Sequence, residues 1–512
     1  PPTHAPGAAA PPRSARAAPA PFESGPLVTF WTPDHLRAAC GGTWVARPTG
    51  AAARGGFVAG LSTDSRTIRP GQAFLALRGE RYDGHAYLRD AVRAGSPLLI
   101  IDTPGAVPHG GFLGPDGAPA PVGIIRVADT SRALLRLAAA YRKTLDTTRV
   151  IAVAGSAGKT TTTRLIHALL SSRLRGSHSP KSFNNAVGVP LTLLSAGPSD
   201  QYLICEVGTN APGEIAALGQ IVEPDVAVIT SIGREHLEGL GSVEGVVREE
   251  AAILSYLRPG GLAVATADAP GLAEHLKCCP NAVTFGRAQD ADLRLTSVEH
   301  ITDASGQTCV RFVVNGRTMY TAPLLGEHNA LNALAAIAVA RRFGIPEEQI
   351  AAALAAARGP EMRMQRLSIG GIDVINDAYN ANPESTIAAL HTLAQVGAGA
   401  ARRVAVLGDM LELGQAAPDA HREVGETILR LGTIDLVVII GHLGLYTAER
   451  LGREPDGWTE ERYVLVSDLD RGQAAGVAAL LKPGDCVLLK GSRRMRLERI
   501  VDALRDRPPP TA

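Results

Sequence analysis

Apolar residues in this chain gather in short runs with polar ends, and many runs lead into helical spacing. The clearest case is Val150-Ile151-Ala152-Val153, followed by Ala154 to Thr161 and then by Leu165, Ile166, Leu169 and Leu170. It predicts strand, loop and amphipathic helix. Between about 149 and 358 such strands alternate with helices: the run 202–205 ends at Glu206, and the run 226–230 leads through Gly233 to His236. This alternation predicts a mostly parallel, doubly wound α/β sheet covered on both faces. The segments 308–314 and 317–322, around Asn315-Gly316, predict a hairpin, and 330–342 an apolar helix.

Upstream, the pattern predicts helices at 33–40, 85–94 and 131–144, and strands at 56–61, 73–77 and 97–101. Downstream of Gly359, runs at 372–376, 403–407, 436–440, 463–466 and 486–489 predict a smaller, Rossmann-like α/β unit. With 512 residues, about three domains are expected. Residues 1–25 are rich in Pro and Ala and are expected to form a disordered tail. The expected domains are 26–146, 147–358 and 359–512.

Charge changes the picture little. Lys and Arg total 51 against 50 for Asp and Glu, and no basic stripe interleaves with aromatics, so nucleic acid is not an expected partner. The six cysteines have neither disulfide-like nor zinc-like spacing. No apolar run reaches the roughly 20 residues of a membrane span, and residues 1–25 carry no apolar segment of a secretory signal. A cytoplasmic, monomeric protein is expected.

The loop Gly155-Ser156-Ala157-Gly158-Lys159-Thr160-Thr161 carries the first chemistry. Glycines let backbone N–H groups and a helix N-terminus converge on an anion, Lys159 adds a point charge, and the Thr160 hydroxyl suits Mg²⁺. Val153 stands where the longer phosphate-loop pattern has its first glycine, leaving G-x-x-G-K-T. Glu206 and His236 follow buried-type strands, at the sheet edge where ligands collect in open α/β folds.

Together, several segments resemble the Mur ligase family. They are Asp64-Ser65-Arg66, Asp83-Gly84-His85, the phosphate loop, Asn184 to Thr192, Glu206 to Asn210, Gly326-Glu327-His328-Asn329 with Asn332, and Met362-Arg363-Met364. The resemblance continues through Asp377 to Pro383, Gly408 to Gly414 and Lys490-Gly491-Ser492-Arg493. It implies three domains: a uridine-nucleotide domain, a central ATPase, and a C-terminal domain that closes over ATP. The motifs D-x-Y-N-A-N-P and L-G-D-M-x-E-L-G imply amide formation between UDP-N-acetylmuramoyl-tripeptide and D-alanyl-D-alanine through an acyl phosphate.

By the same resemblance, Lys159 and the loop Gly155 to Thr161 hold ATP phosphates, and Thr160, Glu206 and His236 are metal ligands. Asn329 and Asn332 reach adenine, Arg363 the γ-phosphate and Asp377 the ribose. Lys159, Glu206, His236 and Arg363 form the catalytic set. Ser65, Arg66, Asn185, Tyr379, Asn380 and Asn382 are substrate-binding candidates. One position departs: Glu250 stands where many members carry a carbamoylated lysine, and glutamate is shorter by about 3–4 Å. It is expected to support Mg²⁺ through water or a small backbone shift, the alternative being a solvent-facing helix residue. The rival readings are another ATP-dependent amide ligase of Mur or folylpolyglutamate synthetase type, or a nucleotide switch that joins nothing.

Overall fold

Buried runs of Val, Ile and Leu build three sheets, and the strand order of each decides which loops meet. The computed structural model describes residues 30–49, 56–80, 82–109, 111–113, 118–180, 182–303, 306–453 and 462–507; the expected tail at 1–25 lies outside them.

The first sheet has order β1-β5-β4-β3-β2, from β1 (Thr43–Ala46), β2 (Leu61–Ser62), β3 (Ala73–Leu75), β4 (Leu98–Ile101) and β5 (Gly123–Arg126). Only the β1–β5 pair is antiparallel. The strand expected at 56–61 is confined to Leu61–Ser62, because Gly60 adopts φ +124° and breaks the extended run before the ladder begins. The expected helix at 85–94 divides into a 3₁₀ turn, Gly84–Tyr87, and a helix, Leu88–Arg93. Strands β1 and β5 carried too little apolar alternation to be read from the sequence.

The second sheet runs β14-β13-β12-β11-β10-β9-β6-β8-β7. Its strands are β6 (Arg149–Ala154), β7 (Gly176–His178), β8 (Tyr202–Glu206), β9 (Val226–Ile229), β10 (Leu262–Thr266), β11 (Ala282–Gly286), β12 (Leu293–Thr302), β13 (Thr308–Val314) and β14 (Thr318–Ala322). Pairing is parallel from β7 to β12 and antiparallel from β12 to β14. The expected hairpin is therefore part of a three-stranded meander. Strand β12 escaped notice because Thr296, Ser297 and Glu299 face solvent. On one face Ile151 and Val153 pack with Leu165, Leu169 and Ile337; on the other, Val150, Ala152 and Ala154 pack with Leu193, Leu203 and Ile229.

The third sheet, β15-β16-β20-β17-β18-β19, comprises β15 (Gln365–Ile369), β16 (Ile372–Asp377), β17 (Arg402–Gly408), β18 (Leu436–Ile440), β19 (Tyr463–Val466) and β20 (Asp485–Lys490). All pairs but β15–β16 are parallel. No described helix is long and apolar enough to cross a membrane.

The helix Thr130–Arg142 joins the first two units. Its Leu134, Leu137, Ala138 and Tyr141 share one core with Leu36 and Ile125 of the first unit and Leu193 and Ile221 of the second. At its end Arg142, 2% exposed, meets Asp225 at 3.0 Å. Asp225 also accepts from Val150 N at 2.9 Å and Arg149 at 3.1 Å. Asp225→Ala leaves the Arg142 guanidinium buried and unpaired, a change that costs about 3–5 kcal/mol. The expected result is a lower denaturant midpoint for this part of the chain, followed by circular dichroism.

Candidate active site

Strands β9, β6 and β8 are adjacent and parallel, so the segments that follow them emerge on one edge. After β6 the chain turns at Gly155 (φ +118°) and Gly158 (φ +85°) and enters the helix Lys159–Leu170. A Cβ at Gly155 would lie 2.4 Å from Thr230 Oγ1, and one at Gly158 2.1 Å from Asn332 Oδ1. Glycine is therefore required twice, by conformation and by space. The loop is anchored to the segment after β9: Ser156 N donates to Ser231 O (2.8 Å), and Ala157 N to Ser231 Oγ (2.9 Å).

Beneath the loop Lys159 lies 3.6 Å from Glu235 and donates to Gly155 O and Ser156 O. Burial works against its charge, but Glu235, Glu250 and Glu206 outweigh that and raise its pKa. Thr160 Oγ1 donates to Glu206 Oε2 at 2.8 Å and contacts Ser182 Oγ at 3.2 Å. Asn184 donates to Glu206 Oε1 at 3.0 Å.

Glu250 does not face solvent: it is 0% exposed and accepts from Gly155 N at 2.7 Å. Its Oε1 is buried without a hydrogen-bond partner. Burial pushes its carboxyl up to about 7. His236 has φ +50° and meets Glu412 of the third unit at 2.6 Å. Burial alone would lower the His236 pKa; the Glu412 hydrogen bond and the Glu235 charge raise it instead.

The paired, buried hydroxyl and carboxylate of Thr160 and Glu206 suit a hard cation such as Mg²⁺, which prefers oxygen donors and keeps several waters. Glu206, His236 and Glu250 are not gathered into one ligand cluster: among the described residues no group of three or more His, Cys, Asp or Glu side chains is disposed to hold a metal.

A cavity of about 310 Å³ opens above the loop. Ser156, Ala157, Gly158, Thr161, Asn329 and Asn332 line one side, and Arg363, Asp377, Tyr379, Asn380 and Asn382 of the third unit the other. Asn332 donates to Asn329 Oδ1 at 3.0 Å, and Asn329 to Leu325 O at 2.7 Å. Arg363 stacks on Tyr379 at 4.2 Å and reaches Ser182 Oγ at 3.5 Å. Its neighbours Met362 and Met364 both adopt positive φ, the kind of backbone strain that clusters at functional sites. Asn382 caps the helix Pro383–Val396 through a capping box.

Three candidates lie elsewhere or serve locally. Ser65 and Arg66 sit in a turn of the first unit, where Arg66 pairs with Asp64 at 2.7 Å, and neither lines this cavity. Asn185 accepts from Gly188 N at 2.9 Å, at the start of the helix Gly188–Leu194.

Five further residues belong to the site: Ser182 and Glu235, which no motif singled out, and Asn184, His328 and Lys490, which lie within the motifs of the resemblance without a role assigned to them. Lys490, 3% exposed, pairs with Asp377 at 2.8 Å and donates to Asn380 O at 2.8 Å. As the polar end of a buried strand it carried a readable signal. His328 lines the cavity with Nδ1 buried and unpartnered. Glu235 lies between two other charged residues and gave no local sign.

A phosphate loop at a parallel sheet edge, faced by an arginine, a lysine and an aspartate from a separate α/β unit, defines a multidomain ATP-dependent ligase. The chain belongs to the Mur ligase family. The Mur ligase family catalytic domain matches residues 57–142, the Mur ligase middle domain 153–340, and the Mur ligase glutamate ligase domain 362–493.

Among its relatives is the UDP-N-acetylmuramoyl-tripeptide–D-alanyl-D-alanine ligase of Bacillus subtilis, 36% identical over 451 residues, covering 88% of this chain and 93% of that protein. The enzyme of the same name from Escherichia coli is 31% identical over 458 residues, 87% of this chain and 93% of the relative. MurF from Acinetobacter baumannii superposes with a TM-score of 0.77 at 29% identity, covering 93% and 98% of the two chains. MurF ligase from Thermotoga maritima in complex with ADP gives 0.72 at 26%, covering 88% and 97%.

Two measurements follow from this geometry. Gly158→Ala is expected to abolish binding of a fluorescent ATP analogue, since the new methyl meets Asn332 in a backbone region that alanine avoids. Glu250 takes up a proton on folding between its ordinary 4.5 and about 7. Its stabilising share is complete below that window and lost as pH rises through about 7. In urea denaturation, Glu250→Gln is therefore expected to gain stability relative to the parent protein as pH is raised from about 5 to about 8.

Proposed function

We propose that the protein joins D-alanyl-D-alanine to UDP-N-acetylmuramoyl-tripeptide, with ATP converted to ADP and phosphate. The observation that carries this reading is the shared cavity, with the phosphate loop on one wall and Arg363, Asp377 and Lys490 on the other, in a chain collinear with relatives named for that reaction.

A carboxylate is a poor acyl donor, so the tripeptide's terminal carboxylate attacks the γ-phosphate, the bond to the β-phosphate breaks with ADP as leaving group, and an acyl phosphate results. The dipeptide amine then attacks the acyl carbonyl, loses a proton, and inorganic phosphate leaves. Both partners of the first step are anionic, and positive charge must offset their repulsion. The unpaired N–H groups in the first turn of Lys159–Leu170 face the phosphates, with Lys159 and Arg363 on either side. Thr160 and Glu206 would hold Mg²⁺, which when bound neutralises charge on the β- and γ-phosphates. His236 is proposed as a further ligand and Glu250 as a charge-balancing carboxylate of that set. Asn329 and Asn332 present amides to adenine, and Asp377, oriented by Lys490, accepts from the ribose.

In this reading residues 26–146 hold the uridine nucleotide, with the exposed fork of Arg66 and Ser65 toward its diphosphate. Residues 147–358 hold ATP, and 359–512 carry Asn380 and Asn382 toward the incoming dipeptide beside Tyr379. Asn185 belongs to the muramoyl-peptide side. Dependence on ATP suits a cytoplasmic enzyme, and a monomer is proposed.

The test is product mass and phosphate release with purified substrates. Release is expected to require ATP, Mg²⁺, the UDP-muramoyl tripeptide and D-alanyl-D-alanine together. Release with a single amino acid or a folate acceptor in place of the dipeptide would replace this reading. Lys159→Ala is expected to lower kcat by about a hundredfold or more.

A further inference from the structure

Three consecutive residues after β9 link the phosphate loop to the third unit: Arg234 and His236 contact the third unit, and Glu235 between them reaches Lys159 on one side and His236 Nε2, at 3.8 Å, on the other. Arg234 is bound twice by Glu384, through its backbone N (3.1 Å) and its Nε (2.7 Å), and once by Glu423 at 2.7 Å. His236 is held by Glu412 at 2.6 Å, and Glu238 N donates to Glu412 O at 3.2 Å. His236 and Glu412 both occupy the left-handed backbone region, an arrangement that persists only where surrounding contacts enforce it.

Glu235 is 6% exposed. Its Oε1 has no hydrogen-bond partner and lies 3.6 Å from Lys159 Nζ. A buried carboxylate oxygen without a hydrogen-bond partner is costly unless charge compensates it, and Lys159, with His236 3.8 Å from the other oxygen, supplies that charge here. The remaining donors of Lys159 point to Gly155 O and Ser156 O, which draws the ammonium beneath the loop.

We propose that Glu235 is a positioning residue for the Lys159 ammonium, and that the clamp of Glu384, Glu423 and Glu412 on Arg234 and His236 keeps Glu235 in place only while the third unit is closed. Closure and the placement of positive charge at the phosphates are then one event. A nucleotide bound to the open enzyme meets a lysine that is not yet fixed, so phosphoryl transfer waits for the unit that brings the amine. This rests on the ATP-ligase reading, in which Lys159 serves the phosphates.

Glu235→Gln keeps the shape and removes the charge. It is expected to lower kcat about tenfold, while the affinity for a fluorescent ATP analogue, measured without the other substrates, changes less than about threefold. Glu235→Asp is expected to recover part of the loss. Glu423→Gln lies outside the cavity at a half-exposed position. It is expected to lower kcat about threefold in the parent and to have no further effect beside Glu235→Gln.

The second readout needs no altered Glu235: labelling of Lys159 by a neutral amine-reactive reagent, followed by peptide mass, is expected to accelerate in Glu423→Gln. An unchanged kcat in Glu235→Gln, additive losses in the double variant, or an unchanged labelling rate would each overturn the proposal. All ratios refer to the parent's turnover with both substrates, so a parent that makes no product refutes the ligase reading instead.

Discussion

The burial of one ammonium among carboxylates governs this structure. Lys159 lies under the phosphate loop with Glu206, Glu235 and Glu250 as its charged neighbours. Each is delivered from a different place: the end of β8, the segment after β9, and the helix Val243–Ala251. They converge because β9, β6 and β8 are parallel neighbours whose carboxyl ends share one edge. Three carboxylates to one ammonium leave excess negative charge where an anionic triphosphate must sit. Burial answers part of this by pushing the Glu250 carboxyl up to about 7. The rest calls for positive charge from outside the loop, which the third unit and a divalent cation can each bring.

The third unit brings it in a defined form. Arg363 is held over the Tyr379 ring, so its fork is oriented before any ligand arrives. Met362 and Met364 carry positive φ on either side of it, and Met364 N is tied to Asp377 at 3.0 Å. Lys490 fixes the other oxygen of Asp377. Arg363, Asp377 and Lys490 thus move as one piece on the paired strands β16 and β20, and a displacement of that piece removes two cations from the cavity at once.

The sequence was most legible where one residue type serves both folding and chemistry. The buried run of β6, its glycine loop and the helix behind it announced themselves through hydrophobic period and turn residues. So did Glu206, at the end of a buried strand, and His236, in the segment that follows one. Strands β1, β5, β12 and β15 were missed because their alternation is weak or diluted by solvent-facing polar residues. Glu235 was missed for a different reason. Its role depends on which way one side chain turns beside the left-handed His236, between β9 and the helix Leu237–Leu240, and no periodicity records that. Asn185, Ser65 and Arg66 show the converse: motif position singled them out, while their contacts here are local turns and pairs.

The two junctions differ in kind, and this decides which unit can move. Between the first and second units the helix Thr130–Arg142 lies in one continuous apolar core, sealed by the buried Arg142–Asp225 pair. Separating them would expose Leu134, Leu137 and Tyr141 to water and strand a guanidinium, which is costly on both counts. Second and third units share one buried apolar residue, Leu325, which joins the third unit's core, and otherwise meet through ion pairs of intermediate exposure: Arg234 with Glu384 and Glu423, and His236 with Glu412. Such pairs exchange readily for water and contribute little net stability. Their value lies in geometry, because they reform in only one register. The fold therefore places its apolar junction on the side of the first unit and its largely ionic, exchangeable junction on the side that supplies Arg363 and Lys490. Motion is thereby directed to the unit whose arrival completes the charge balance around the triphosphate.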